Sequence, residues 1–357
     1  MLSNCDKIII VLGPTCTGKS ELSVRLAKEF GGEIVNADSM QVYKRMDIGT
    51  AKPTKNELDE VKHHMIDICN IDQDYSVAQY KEQATDSIND IIYRKKTPII
   101  TGGTGLYLDS LIYNIDFKQE RQSNREYYEQ YLKNNGKDSL YNLLLQRDPD
   151  AALSTHPNNT KRVIRYLDIL SGFEGTLEEY KKAAIGKNTD FDFHIYLLHM
   201  QREQLYRRIE KRVDEMLDAG LVEEVKGILN DGYSTDCNAL TAIGYKETAE
   251  YLRGFCTYDE MVNILKKNTR NYAKRQITWF KRYEEARIIN IRDYIDADDI
   301  AEFIREDVMR TMLKEEKNEK VSPVAKITGI LEGKVEPNVD KEDIKNERLS
   351  ERYVKKS

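Results

Sequence analysis

Lys7–Ser20 reads KIIIVLGPTCTGKS, and Glu21–Phe30 continues it as ELSVRLAKEF. The β-branched run Ile8, Ile9, Ile10, Val11 has the composition of a strand buried on both faces of a parallel sheet. It ends at Gly13, and Gly18, Lys19 and Ser20 complete G-x-x-x-x-G-K-[ST] before an amphipathic helix pattern begins. Strand, glycine loop and helix therefore stand in the order of a phosphate loop. In such a loop the span Gly13, Pro14, Thr15, Cys16, Thr17, Gly18, Lys19 and Ser20 wraps phosphate oxygens with backbone N–H groups. The helix N-terminus adds its partial positive charge. Lys19 is expected to reach the outer phosphate and Ser20 to hold a magnesium ion. A chance glycine turn would not come with both flanking elements. The fold class that follows is α/β: a P-loop NTPase-like parallel sheet flanked by helices.

Downstream, Glu33–Ala37 (EIVNA) reads as a second short strand with Asp38-Ser39-Met40-Gln41 at its carboxyl end. Ligands of open α/β sheets bind at that end of the strands, so Asp38 is expected beside the phosphate loop. An aspartate that merely caps a turn is the plain alternative. Thr54 opens a short charged helix. His63-His64 lack further ligands at metal spacing and read as structural, and Met65–Ile68 reads as a strand. Ser76 opens a helix to about Arg94. Pro98–Thr101 is the next buried strand and runs into Gly102-Gly103-Thr104-Gly105, a second glycine turn. No aspartate follows that strand, so the acid that holds magnesium in nucleotide hydrolases is missing there. This counts against an ATPase.

At 357 residues the chain has room for two domains. Its five cysteines, Cys5, Cys16, Cys69, Cys237 and Cys256, form no C-x-x-C pair, which suits reduced thiols in a cytoplasm. No signal peptide and no membrane span is read. A net charge of −6 gives no whole-chain signal for nucleic acid, but it hides a local patch. Between Lys266 and Arg282 there are seven basic residues and no acidic one. Leu265, Tyr272 and Trp279 recur as an apolar seam, while Lys267, Arg270, Lys274 and Lys281 share another face, with Arg275 next to it. A basic stripe on one helix of an acidic protein is the footprint of a polyanion; a solvated face is the bland alternative.

Four segments are expected. Residues 1–113 form the first part of the core, and 114–192 an inserted helical domain rich in tyrosine. Residues 193–313 complete the core and add the basic helical region, including Arg202, Arg207, Arg208, Lys211 and Arg212 after a strand at Phe193–Met200. Residues 314–357, dominated by Lys, Glu, Asp and Asn, form a disordered tail.

GPTCTGKS, NADSMQVYKRMDIGTAKP, HHMIDI, TGGTGLYL, GYKE and RNYAKRQITWF together resemble the tRNA dimethylallyltransferases, or tRNA isopentenyltransferases. The resemblance runs in order from about residue 7 to 313, and DSMQVY with GTAKP is far more specific than the glycine loop. It implies transfer of a dimethylallyl group from dimethylallyl diphosphate to N6 of the adenine just 3′ of the anticodon. The glycine loop would then hold the donor's diphosphate with magnesium, rather than a nucleoside triphosphate.

Carried over by position, Asp38 would be the base at the adenine amine, with Thr104 and Arg212 at the reacting centre and the leaving diphosphate. Contact with the tRNA anticodon stem-loop would come from Asp38, Ser39, Met40, Gln41, Thr104 and Arg125. It would also come from Lys161, Arg162, Val163, Ile164 and Arg165, and from Thr241, Ala242, Ile243, Gly244, Tyr245 and Lys246. Lys161 departs from the glutamine usual there, the tail has no counterpart, and no zinc-finger extension is present, as in bacterial members. A cytoplasmic monomer is expected. The competing readings are an adenylate isopentenyltransferase, a P-loop small-molecule kinase and a non-catalytic RNA-binding protein. The kinase would turn over ATP without RNA, the adenylate enzyme needs no inserted domain, and the RNA-binding protein leaves the phosphate loop unexplained.

Overall fold

The computed structural model describes residues 7–113, 115, 124–184 and 190–320. In chain order the first part holds β1 (Lys7–Leu12), α1 (Lys19–Phe30), β2 (Glu33–Ala37), α2 (Lys55–Glu60) and β3 (His63–His64). It continues with α3 (Val77–Tyr93), β4 (Pro98–Gly102) and α4 (Gly105–Ile112). The middle is helical: α5 (Arg125–Arg147), α6 (Pro149–Leu153), α7 (Thr160–Ser171) and α8 (Leu177–Ala184). Then come β5 (Asp192–His199), α9 (Arg202–Asp218), α10 (Leu221–Asn230), α11 (Tyr245–Leu252), α12 (Tyr258–Phe280), β6 (Arg287–Asn290) and α13 (Ala297–Lys320).

Among the described residues six strands form one sheet in the order β3-β2-β4-β1-β5-β6, and each pairing is parallel. This is the parallel sheet flanked by helices that the sequence implies. Ile8, Ile9, Ile10, Ile34, Val35, Ile99 and Ile100 are fully buried, as strands covered on both faces require. β4 lies between β1 and β2. The turns that leave these three strands are therefore neighbours along one carboxyl edge.

The helix starts follow their caps. Thr54 and Ser76 each close a capping box, with Glu57 and Gln79, and fix the entries of α2 and α3. Helices α5–α8 bury a core of their own around Leu140, Leu144, Val163, Leu167 and Leu170, and α5 kinks at Gly136.

The structure departs from the sequence reading at three elements. The third strand is His63–His64, not Met65–Ile68, because Met65 (φ 65°) and Asp67 (φ 55°) turn the chain out of extended geometry. The short β6 pairs with β5 and was not read from the sequence. Helix α13 continues to Lys320, beyond the boundary at 313, because Lys and Glu are good helix formers.

The chain divides into two compact units, Met1–Arg305 and Glu306–Ser357. The described residues of the second unit, 306–320, are helical. The remainder of the expected tail, 321–357, lies outside the described residues. Among the described residues no helix is long and apolar enough to cross a membrane.

Candidate functional site

The three turns at the carboxyl edge surround one cleft of about 350 Å³. The phosphate loop, Asp38 and Gln41 line it, with Thr50–Pro53, Gly102, Gly103 and Arg212 of α9. Tyr272 and Gln276 reach in from α12. Segments far apart in sequence thus share one chamber.

The phosphate loop is preformed. Gly18, at φ 88°, caps α1 in a left-handed conformation that a side chain would strain. Cys16 also takes a positive φ of 66°, a form of strain that persists only where the surroundings hold it. The Thr17 hydroxyl and the Lys19 ammonium each donate to the Pro14 carbonyl at 2.8 Å. Burial pulls the Lys19 pKa down to about 8; Arg212 adds to the lowering, and Cys16 and Asp38 oppose it. Arg212 Nη1 lies 4.0 Å from Cys16 Sγ, so a second cation faces the loop.

Asp38 serves as a turn cap and still offers one oxygen to the cleft. Its Oδ1 accepts the N–H groups of Met40 (2.9 Å) and Gln41 (3.3 Å), which fixes the carboxylate. Among the described residues Oδ2 has no hydrogen-bond partner. Thr104 Oγ1 accepts Ser39 N–H at 2.9 Å and donates to Ser39 Oγ at 3.2 Å. Thr104 thereby ties the turn after β2 to the turn after β4.

Gln276 was not singled out by sequence reasoning, and its bridge is among the most informative contacts of the site. Its Oε1 accepts Thr15 N–H at 2.8 Å and its Nε2 donates to Gly103 O at 2.9 Å. One buried side chain of the basic helix therefore braces the phosphate loop against the second glycine turn. One turn along, Trp279 lies so close to Gly105 that a Cβ there would meet its ring at 2.3 Å. Gln276→Leu keeps the bulk but strips the Thr15 N–H of its partner and leaves Gly103 O only the long bond from the Tyr272 hydroxyl (3.5 Å), at about 1–3 kcal/mol for a buried group left unpaired. The expected result is a lower Tm together with a raised KM for the phosphate ligand; an unchanged Tm would mean that the bridge is not made in solution.

The opposite wall is also braced. Glu224 accepts the N–H groups of Asp47 (3.1 Å), Ile48 (2.8 Å) and Gly49 (3.3 Å), and the Tyr245 hydroxyl donates to the same carboxylate. Gln41 Nε2 donates to the carbonyls of Thr50 (3.0 Å) and Ala51 (3.2 Å). The enclosed Lys52 ammonium bonds Tyr43 O, Asp47 and Asp67, which pins the far end of this wall.

The residues expected at a tRNA interface divide by burial. Arg125, Lys161 and Arg162 are exposed, and Arg165 is half-buried; none lines the cleft. Val163 and Ile164 do not fit that expectation, because they point into the core of α5–α8. Ala242 and Tyr245 are likewise buried, and only Thr241 and Lys246 of Thr241–Lys246 are fully exposed. On α12, Lys266 pairs with Asp214 at 2.6 Å and Arg270 with Glu210 at 2.6 Å. Lys267, Lys274, Arg275 and Lys281 remain exposed. Of the seven basic residues, Lys266 and Arg270 are paired with α9, and Arg282 pairs with Asp109 of α4 at 2.9 Å.

Comparison with known proteins agrees with this geometry. The IPP transferase family profile matches residues 41–283. The chain belongs to the IPP transferase family. Among the family's curated members, the tRNA dimethylallyltransferase of Alkaliphilus oremlandii is 43% identical over 305 residues, spanning 84% of this chain and 96% of that protein. The tRNA dimethylallyltransferase of Clostridioides difficile is 44% identical over 296 residues, 82% of this chain and 94% of that one. The crystal structure of the full-length tRNA isopentenylpyrophosphate transferase of Bacillus halodurans is similar at a TM-score of 0.65. It is 37% identical, covering 87% of this chain and 99% of that one. A eukaryotic dimethylallyltransferase acting on tRNA is similar at a TM-score of 0.69 and 31% identity, covering 80% of this chain and 74% of that one.

Proposed function

We infer that this family member transfers a dimethylallyl group from dimethylallyl diphosphate to N6 of the adenine 3′-adjacent to the anticodon of tRNA, releasing diphosphate. The observation that carries the reading is the cleft itself. A preformed phosphate loop with two cations faces a fixed carboxylate that keeps one open oxygen.

The exocyclic amine of adenine is a poor nucleophile, so it needs an acceptor for its proton as the C–N bond forms. Asp38 Oδ2 would take that proton, held in place by the Met40 and Gln41 N–H groups. The bond from the donor's C1 to its diphosphate oxygen breaks, and the electron pair leaves on that oxygen. Lys19, Arg212 and the loop N–H groups stabilise the charge that gathers there. Thr104, bonded to Ser39, aligns the turn that carries Asp38.

The residues fit a magnesium ion that is shared with the substrate. The Ser20 hydroxyl opens onto the cleft beside the phosphate loop, and the described residues contain no cluster of three acidic, histidine or cysteine side chains. A hard cation held by one or two protein oxygens and by phosphates matches this donor set. When bound, the ion supplies further neutralisation of the diphosphate.

For the RNA, the target base must leave its stack, and single-stranded loops are the accessible targets. The exposed Lys274 and Arg275 of α12, together with Arg125 of α5 and Lys161 and Arg162 of α7, would hold the anticodon loop. Lys274→Ala with Arg275→Ala is expected to weaken tRNA binding and to flatten its dependence on salt, leaving donor affinity unchanged. A wild-type salt slope in the double variant would reduce the stripe to a solvated face. The reading as a whole is tested by diphosphate release: it should require both tRNA and dimethylallyl diphosphate. ATP turnover without RNA would favour the kinase instead.

A further inference from the structure

Asn36 and Thr101 sit on the floor of the cleft. They are Cα partners in the β2–β4 register, and both line the chamber beneath the phosphate loop. Asn36 is 4% exposed and Thr101 is 7% exposed. Among the described residues, Asn36 Nδ2 and Thr101 Oγ1 have no hydrogen-bond partner. Val11, which flanks Thr101 in register on β1, is apolar and offers none. A buried polar atom without a partner is costly, and native structures keep one only with a reason. The two stand side by side on residues that line a ligand chamber, which supplies one reason for both.

Their chemistry narrows what they take. An amide NH₂ only donates and a hydroxyl can donate, so the shared partner is an acceptor oxygen. Both groups are neutral, so they add no negative charge beside a polyanion. A carboxylate at this depth would repel a diphosphate unless a metal intervened. We propose that Asn36 and Thr101 form a neutral subsite that donates two hydrogen bonds to one oxygen of the diphosphate held by the phosphate loop. This rests on the reading of the cleft as a diphosphate site and names two residues which that reading did not use. The pair completes the cradle from below while the loop N–H groups close it from above. In the free protein the two donors wait unpaired, and ligand binding satisfies both.

The test measures inorganic diphosphate, with magnesium, binding to the full chain by calorimetry, and the Tm of the free protein. Thr101→Val keeps the shape and removes the hydroxyl. It is expected to bind diphosphate about tenfold more weakly, the scale of one hydrogen bond to a charged oxygen. Because the lost hydroxyl had no partner, the free variant should melt at the wild-type temperature or above. Asn36→Leu should show the same pair of effects, and Thr101→Ser, which keeps the hydroxyl, should restore affinity. Unchanged affinity in Thr101→Val and Asn36→Leu overturns the subsite. A lower Tm with unchanged affinity also overturns it, and assigns the two groups to a resident structural water instead. If the wild-type protein does not bind diphosphate, the reading of the cleft falls and this proposal falls with it.

Discussion

Asp38→Asn is expected to slow single-turnover prenyl transfer by roughly 10²–10⁴-fold, the range of general-base assistance. The structure makes this substitution unusually clean. Asparagine retains an Oδ1 that can accept the Met40 and Gln41 N–H groups, so the turn after β2 keeps its cap. What disappears is the second oxygen's ability to take a proton. Donor affinity should survive, because Lys19, Arg212 and the loop N–H groups supply it, and the Tm should hold within a degree or two. Rapid-quench measurement with saturating tRNA isolates the chemical step. Near-normal transfer by a stable, donor-binding variant would remove Asp38 from the mechanism and leave it as a turn cap.

Lys19→Met should lower kcat by roughly 10²–10³-fold, since it removes a cation from the place where the leaving diphosphate gathers charge. The pH dependence carries the same information. Burial lowers the Lys19 pKa to about 8, so the free protein loses this cation as pH rises through that value. The kcat/KM for the donor is accordingly expected to fall above about pH 8, well before an exposed lysine would titrate. Lys19→Arg should move the fall to higher pH, because guanidinium stays protonated. The stability effect has the opposite direction. The unfolded chain binds the proton up to about 10.5, so between about 8 and 10.5 it holds more protons and folding stability gains with rising pH. A donor kcat/KM that is flat from pH 7 to 10 would contradict a working Lys19 cation.

The central part of this fold is legible because its signals are local. Ile8–Val11, the glycine loop and α1 lie within a single stretch, and the sheet does no more than confirm their order. Asp38 was legible by the same logic, as an acid just past a strand end. The site's braces were not. Gln276 meets Thr15 across 261 positions of sequence, and no spacing rule connects them. Glu224, on α10, looks like an ordinary first-turn acid until the loop at Asp47–Gly49 is folded onto it.

The contiguous blocks expected at the RNA failed in part for a geometric reason. Lys161–Arg165 is a helical stretch, and with 3.6 residues per turn some of its side chains must face inward. Val163 and Ile164 are the ones that do. The basic stripe shows the converse limit. Periodicity placed Lys267, Arg270, Lys274 and Lys281 on one face, but only the folded chain reveals Glu210 and Asp214 neutralising Arg270 and Lys266. The turn at Met65–Asp67 shows how positive φ at non-glycine residues hides from composition altogether.

The claim that this chamber joins a prenyl group to tRNA is tested most directly by mass analysis of the nucleosides. Unmodified tRNA is incubated with the protein, dimethylallyl diphosphate and magnesium, then digested and separated. The account predicts one adenosine per acceptor tRNA carrying a dimethylallyl group on N6, mapped to the position 3′ of the anticodon. The product should be absent without the protein and strongly reduced with Asp38→Asn. Unmodified adenosines from a tRNA that binds the protein, in the presence of bound donor, would contradict it.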